Sequence, residues 1–105
     1  MQTELTEAYK LIYDFKLGVA ILKEHEPLIY LLSKDLGISN DGLSNEELVQ
    51  LVADADSLWN KKTQTTIDQF YSYYKYGNIE QAENLRLQFV QNCPSIWYCG
   101  IVSSL

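Results

Sequence analysis

Leu5, Ala8, Ile12, Phe15, Val19 and Leu22 follow one another at intervals of three and four residues. That spacing lays an apolar stripe along one face of an α-helix, and a β-strand would need an interval of two. The same period returns in Leu48, Leu51, Val52, Ala55, Leu58 and Trp59, then in Ile67, Phe70, Tyr71 and Tyr74, and again in Ile79, Ala82, Leu85 and Phe89. No run alternates in the manner of a strand or hairpin. The chain is therefore expected to be all-α, a single-domain bundle of four to five helices over residues 1–105. Helices are expected at about 4–25, 27–36, 45–60, 64–76 and 79–91, with an apolar tail at 95–105. The first three would form the core, and the stripe predicts that Ile12, Phe15 and Val19 are buried.

Local chemistry sets the expected boundaries. Thr3 or Thr6 is a candidate N-cap, with Glu4 and Glu7 in the first turn, where acids favour the helix dipole. Gly18 costs a helix interior about 1 kcal/mol and would mark a close helix contact. Pro27 ends or kinks the first helix and can open the second. Leu28, Ile29, Leu31, Leu32 and Leu36 make that second segment apolar on most sides, and Gly37 stops it. Ser44-Asn45-Glu46-Glu47 is a capping box. The threonine-rich Asn60–Thr66 stretch suggests a break. Gly77 closes the next helix, and Asn78 with Gln81 forms a second box-like start. Pro94 stops the last clear helix. Ile96, Trp97, Tyr98, Ile101 and Val102 carry too much apolar surface to be left in water, so the tail packs back on the bundle or joins two copies.

A chain of 105 residues, 47% hydrophobic with two Pro and five Gly, is long enough to fold around its own core without disulfide or metal. The opening MQTELTEAYK has no apolar export segment, and no apolar run approaches the roughly eighteen residues of a membrane span. A cytoplasmic protein is expected, with Cys93 and Cys99 as reduced thiols.

Charge is unevenly placed. Asp35, Asp41, Glu46, Glu47, Asp54 and Asp56 fall within residues 35–60, which hold no Lys or Arg, a sum of −6. Residues 1–34 sum to −1 and residues 61–105 to +1. At 100° per residue, Glu46, Glu47, Gln50 and Asp54 share the outer face of the third helix, with Asp56 on its flank. A one-sided field of this sign attracts basic proteins and repels nucleic acid.

Other constellations carry little chemistry. Glu24-His25-Glu26 holds the single histidine, without metal partners one helical turn away and without a nucleophile beside it. Residues 37–48 imitate a calcium loop, but Gly37 and Leu48 occupy the two decisive ligand positions. Cys93 and Cys99, with five residues between them, match neither a zinc knuckle nor a redox pair. No cofactor, metal or catalytic residue is expected. Within Phe70–Tyr76, Tyr73 and Tyr76 turn away from the core face, and tyrosine is a favoured interface residue.

Several segments carry a resemblance to a known family: Leu11–Gly18, Leu28–Leu32, Glu46-Glu47-Leu48, Asp54-Ala55-Asp56 and Ile79–Arg86. Together they resemble the small helical bacterial immunity proteins of the colicin D type. The likeness spans most of residues 9–90, and departs from the family pattern at Pro27 and after Pro94. The resemblance implies a helical bundle that blocks a ribonuclease toxin by presenting acids where RNA would bind, with Glu46, Glu47, Asp54 and Asp56 as the contact face. The expected function is that of a small acidic inhibitor occluding a basic, nucleic-acid-acting protein, with Tyr73 and Tyr76 as further anchors. An alternative is a self-associating adaptor or assembly subunit that uses the tyrosine face and the apolar tail, as a homodimer. Neither direct nucleic-acid binding nor membrane insertion is expected.

Overall fold

The structure is a computed structural model that describes residues 2–105. Among them the chain is all-α: α1 (Gln2–Lys16), α2 (Glu26–Asp35), α3 (Asn45–Lys75), α4 (Ile79–Asn92) and α5 (Ile96–Ser103), with a 3-10 turn at Lys23–His25 before α2. Contacts gather in two compact units, Met1–Ser57 and Leu58–Leu105, and α3 contributes to both.

In the first unit, α1 packs on α2, and Ala8, Ile12, Ile29, Leu32, Leu48 and Val52 are buried together with Leu36. Tyr9 donates its hydroxyl to the buried Asp35 at 2.6 Å, so a polar bond joins α1 to the end of α2. The Lys16 ammonium pairs with Asp56 of α3.

The first helix ends nine residues earlier than its stripe predicts. Gly18 adopts φ +102°. Its amide donates to Phe15 O and the Val19 amide to Asp14 O, both at 3.0 Å, closing the helix with a Schellman motif. Nothing lies within 4 Å of where a Gly18 Cβ would stand, so the residue serves the backbone and makes no close helix contact. Beyond it the stripe leaves the core. Val19 is 54% exposed, Leu22 is exposed as well, and Phe15 is only half-buried, whereas Ile12 is fully buried. Thr3 and Thr6 lie inside α1 and do not precede it.

The capping box at Ser44 forms in both directions. The Glu47 amide donates to Ser44 Oγ and the Ser44 amide to Glu47 Oε1, each at 3.2 Å. From there α3 runs 31 residues without the break expected near residues 60–66. Thr63 and Thr66 are buried there, and Thr66 returns its hydroxyl to Lys62 O at 2.9 Å. A threonine's helix-propensity deficit is a fraction of a kcal/mol, which burial on this face outweighs. Gly77 (φ +77°) ends the helix, with the Asn78 amide on Tyr73 O at 2.8 Å. Asn78 makes no side-chain cap bond, so the second expected box is absent.

In the second unit, Phe70, Ala82, Tyr98 and Val102 are buried, and Trp59 meets Phe89 edge-on at 5.9 Å. The apolar tail becomes α5 and packs against α4. Ser95 caps it by accepting from the Tyr98 amide at 3.1 Å. Arg86 of α4 pairs with Glu83 and reaches Ser103 O at 3.4 Å, tying down the far end of α5.

Candidate functional site

Burial divides the six acids of residues 35–60. Asp35 accepts the Tyr9 hydroxyl inside the first unit, and Asp56, 6% exposed, accepts the Lys16 ammonium. Asp56 thus departs from its expected place on the contact face: two residues past the exposed row, its helix position turns toward the Lys16 end of α1, and its charge pairs with a lysine of its own chain. Asp41, Glu46, Glu47 and Asp54 remain exposed.

Three of the exposed acids, Glu46, Glu47 and Asp54, form an ordered face on the first half of α3. Glu46, Gln50 and Asp54 stand at i, i+4 and i+8, in one row. Gln50 Nε2 donates to Asp54 Oδ1 at 2.9 Å, which orients that carboxylate. Glu47 lies beside the row with one carboxylate oxygen engaged in the cap, so it carries structure as well as charge. Leu51, expected in the core, is instead 43% exposed between Glu47 and Asp54. An exposed leucine among ordered carboxylates gives the face an apolar contact that a purely solvated surface lacks.

Beside this face runs a groove of about 680 Å³. Phe15, Ile29, Leu48 and Val49 form its apolar lining, and the segment Ala20–Leu22 with Tyr30 forms its lip. Glu46 and Gln50 of the acidic row line it too, as do Glu26 and Lys23. Asn45 donates to Glu26 at 2.8 Å, fixing that carboxylate near the start of α3. The groove was hidden in the sequence because the stripe reads as one unbroken helix. Gly18 was the available signal, since glycine at the end of a helix often takes a positive φ.

Charge follows the two units closely. The first holds eleven acids against four lysines, −7, and the second three acids against four bases, +1. The chain matches no family model, no curated protein and no solved structure. The likeness to immunity proteins therefore rests on residue spacing alone.

The tyrosines lie in the second unit. Tyr73 is 37% exposed and Tyr76 72%, the latter with the Lys75 ammonium 5.8 Å from its ring. Tyr71 and Tyr74, expected on the core face, are also exposed and flank the buried Phe70, with ring centroids 5.6 and 5.1 Å away. Four tyrosines thus surface at the end of α3.

The remaining candidates are local in character. His25 Nδ1 accepts the Leu22 amide at 3.1 Å, holding the turn before α2. Cys93 is buried, Cys99 is half-buried with its thiol directed at Cys93 O at 3.4 Å, and the two are not joined in a disulfide. Among the described residues no three His, Cys, Asp or Glu side chains gather as a metal site, and no helix is long and apolar enough to cross a membrane.

Proposed function

We propose that this chain is a protein-binding inhibitor of the immunity or antitoxin type, and that Glu46, Glu47 and Asp54 dock on a cationic surface of a nucleic-acid-acting partner. The observation that carries the reading is the ordered row Glu46–Gln50–Asp54, flanked by the exposed Leu51, in a unit of charge −7. Opposed fields raise the association rate, and an apolar contact within the acidic face adds desolvated area once the two surfaces meet. Occlusion then follows from position: a protein that fills the groove where phosphates bind excludes the substrate without chemistry of its own. Asp56 contributes by holding Lys16, and so by keeping α1 against α3, instead of by touching the partner.

The test begins with affinity capture from the source cells using the wild-type chain and a Glu46→Gln/Asp54→Lys variant. Partners retained only by the wild type are then assayed for nuclease or nucleic-acid binding at one equivalent of inhibitor. The reading expects activity to be abolished at 1:1 stoichiometry at low salt and to return as salt is raised. Captured partners that keep full activity at saturation contradict it.

A second reading, a self-associating adaptor, draws on the four exposed tyrosines at the end of α3 and on Ile96 and Ile101, exposed on α5. Sedimentation decides it. Mass that doubles with concentration in the wild type and stays monomeric in Tyr73→Ser/Tyr76→Ser supports the adaptor.

A further inference from the structure

The segment from Leu17 to Leu22 leaves Leu17, Val19 and Leu22 each more than half exposed. Backbone bonds from the Leu17 and Val19 amides to Asp14 O, and the Leu22 amide on His25 Nδ1, hold this segment in place. Its last three residues, Ala20–Leu22, form one lip of the groove floored by Ile29, Leu48 and Val49, with the exposed Tyr30 lining it as well. An exposed apolar lip beside an apolar groove is the form taken by sites that receive an amphipathic helix.

Charge identifies the occupant. Glu46 and Gln50 belong to both the groove lining and the acidic row, and Gln50 carries Asp54 on its side-chain amide. Lys23 is the single base among the groove residues, against Glu26 and Glu46. A helix lying in the groove would therefore meet apolar side walls below and carboxylates along one edge. A second copy of this chain is disfavoured, because two units of −7 would be brought together. Nucleic acid is disfavoured by the same field.

Resting on the inhibitor reading above, we propose that the groove binds an amphipathic, lysine- or arginine-bearing helix of the partner protein. Two or three of the helix's aliphatic residues enter between Leu22 and Val49, and its cationic residues meet Glu46 and Asp54. The two surfaces act together: the acidic row steers and registers the helix, and the groove retains it.

The full chain, isotope-labelled, is titrated with a leucine–lysine amphipathic peptide of roughly 14 residues, about 20 Å of helix. Controls are a permuted peptide of equal composition and an oligolysine of equal charge. The amphipathic peptide is expected to shift the Ile29, Leu48 and Val49 methyls together with the Glu46, Gln50 and Asp54 amides, and to bind at least tenfold more tightly than either control. Leu22→Ser/Tyr30→Ser, at exposed positions and checked for unchanged melting, should weaken the peptide tenfold or more and leave oligolysine unaffected. Unmoved methyls, or a lip variant that binds like the wild type, overturn the groove proposal. If oligolysine still moves the α3 amides in that case, the acidic-face reading stands without the groove. Peptide bound in the groove with equal strength in Glu46→Gln/Asp54→Lys overturns the cationic assignment. Methyl shifts that depend on protein concentration without peptide place a second copy there and also overturn it.

Discussion

Thr63 keeps its hydroxyl buried without a hydrogen-bond partner on the buried face of α3. A buried hydroxyl left unpaired costs about 1–3 kcal/mol, and valine has the same branched shape. Thr63→Val is therefore expected to stabilise the chain by about 1 kcal/mol, a rise in melting temperature of about 4–8 °C. Thermal unfolding by circular dichroism checks it, and a lower midpoint would contradict the unpaired state. Gly18 permits a test of sign. At φ +102° with open space around it, Gly18→Ala meets only backbone strain and should cost about 1–2 kcal/mol. Were Gly18 inside a continuous helix, the same change would stabilise by about 1 kcal/mol. The acids show why residue type alone did not place the site. Asp54 and Asp56 differ by two positions, which on a helix is a rotation of about 200°, from solvent to the Lys16 ammonium. The wheel put Asp56 on a flank, but only the packing of α1 decides which flank is covered.

Helix existence and several caps were legible along the chain, because each has a local cause. Ser44 and Glu47 form their reciprocal bonds, and Gly37 and Gly77 end helices as expected. What periodicity could not show is where a continuing stripe ceases to be helical, since Val19 and Leu22 keep helical spacing after Gly18 has turned the chain. Periodicity also overstated the core in α3, where Leu51, Leu58, Tyr71 and Tyr74 fall at core spacing and are exposed. The buried face of α3 runs through Leu48, Val52, Asp56, Thr63, Thr66 and Phe70, and Leu51, Leu58 and Tyr71 lie to either side of it. The tail was legible from its hydrophobicity, and α5 turns Tyr98 and Val102 inward against α4. Removing residues 95–105 uncovers the surface those two side chains bury. The truncated chain is expected to melt at lower temperature and to aggregate, as read by calorimetry and light scattering. A truncation as stable and monodisperse as the full chain would mean that α5 adds nothing to its unit.

Across the whole molecule, charge separates with packing: the unit Met1–Ser57 holds −7 and the unit Leu58–Leu105 holds +1. The imbalance was readable from composition by segment, whereas its partition into internal and outward charge needed the fold. Asp35 and Asp56 serve the first unit from within, Glu46 lines the groove, and Glu47 and Asp54 flank Leu51. This arrangement is suited to meeting a basic protein, since steering acts over about a Debye length, roughly 8 Å at physiological salt, and apolar contact acts on arrival. Glu47 is a poor position for testing it, because its substitution also removes a cap worth about 0.5–2 kcal/mol. Glu46 and Asp54 are free of that complication. The most direct measurement is stopped-flow association of the captured partner with wild type and with Glu46→Gln/Asp54→Lys, across a range of salt concentrations. The acidic-face account predicts association at low salt slowed at least tenfold in the variant, with a shallower dependence on salt and unchanged melting. An unchanged rate and an unchanged salt dependence would contradict it.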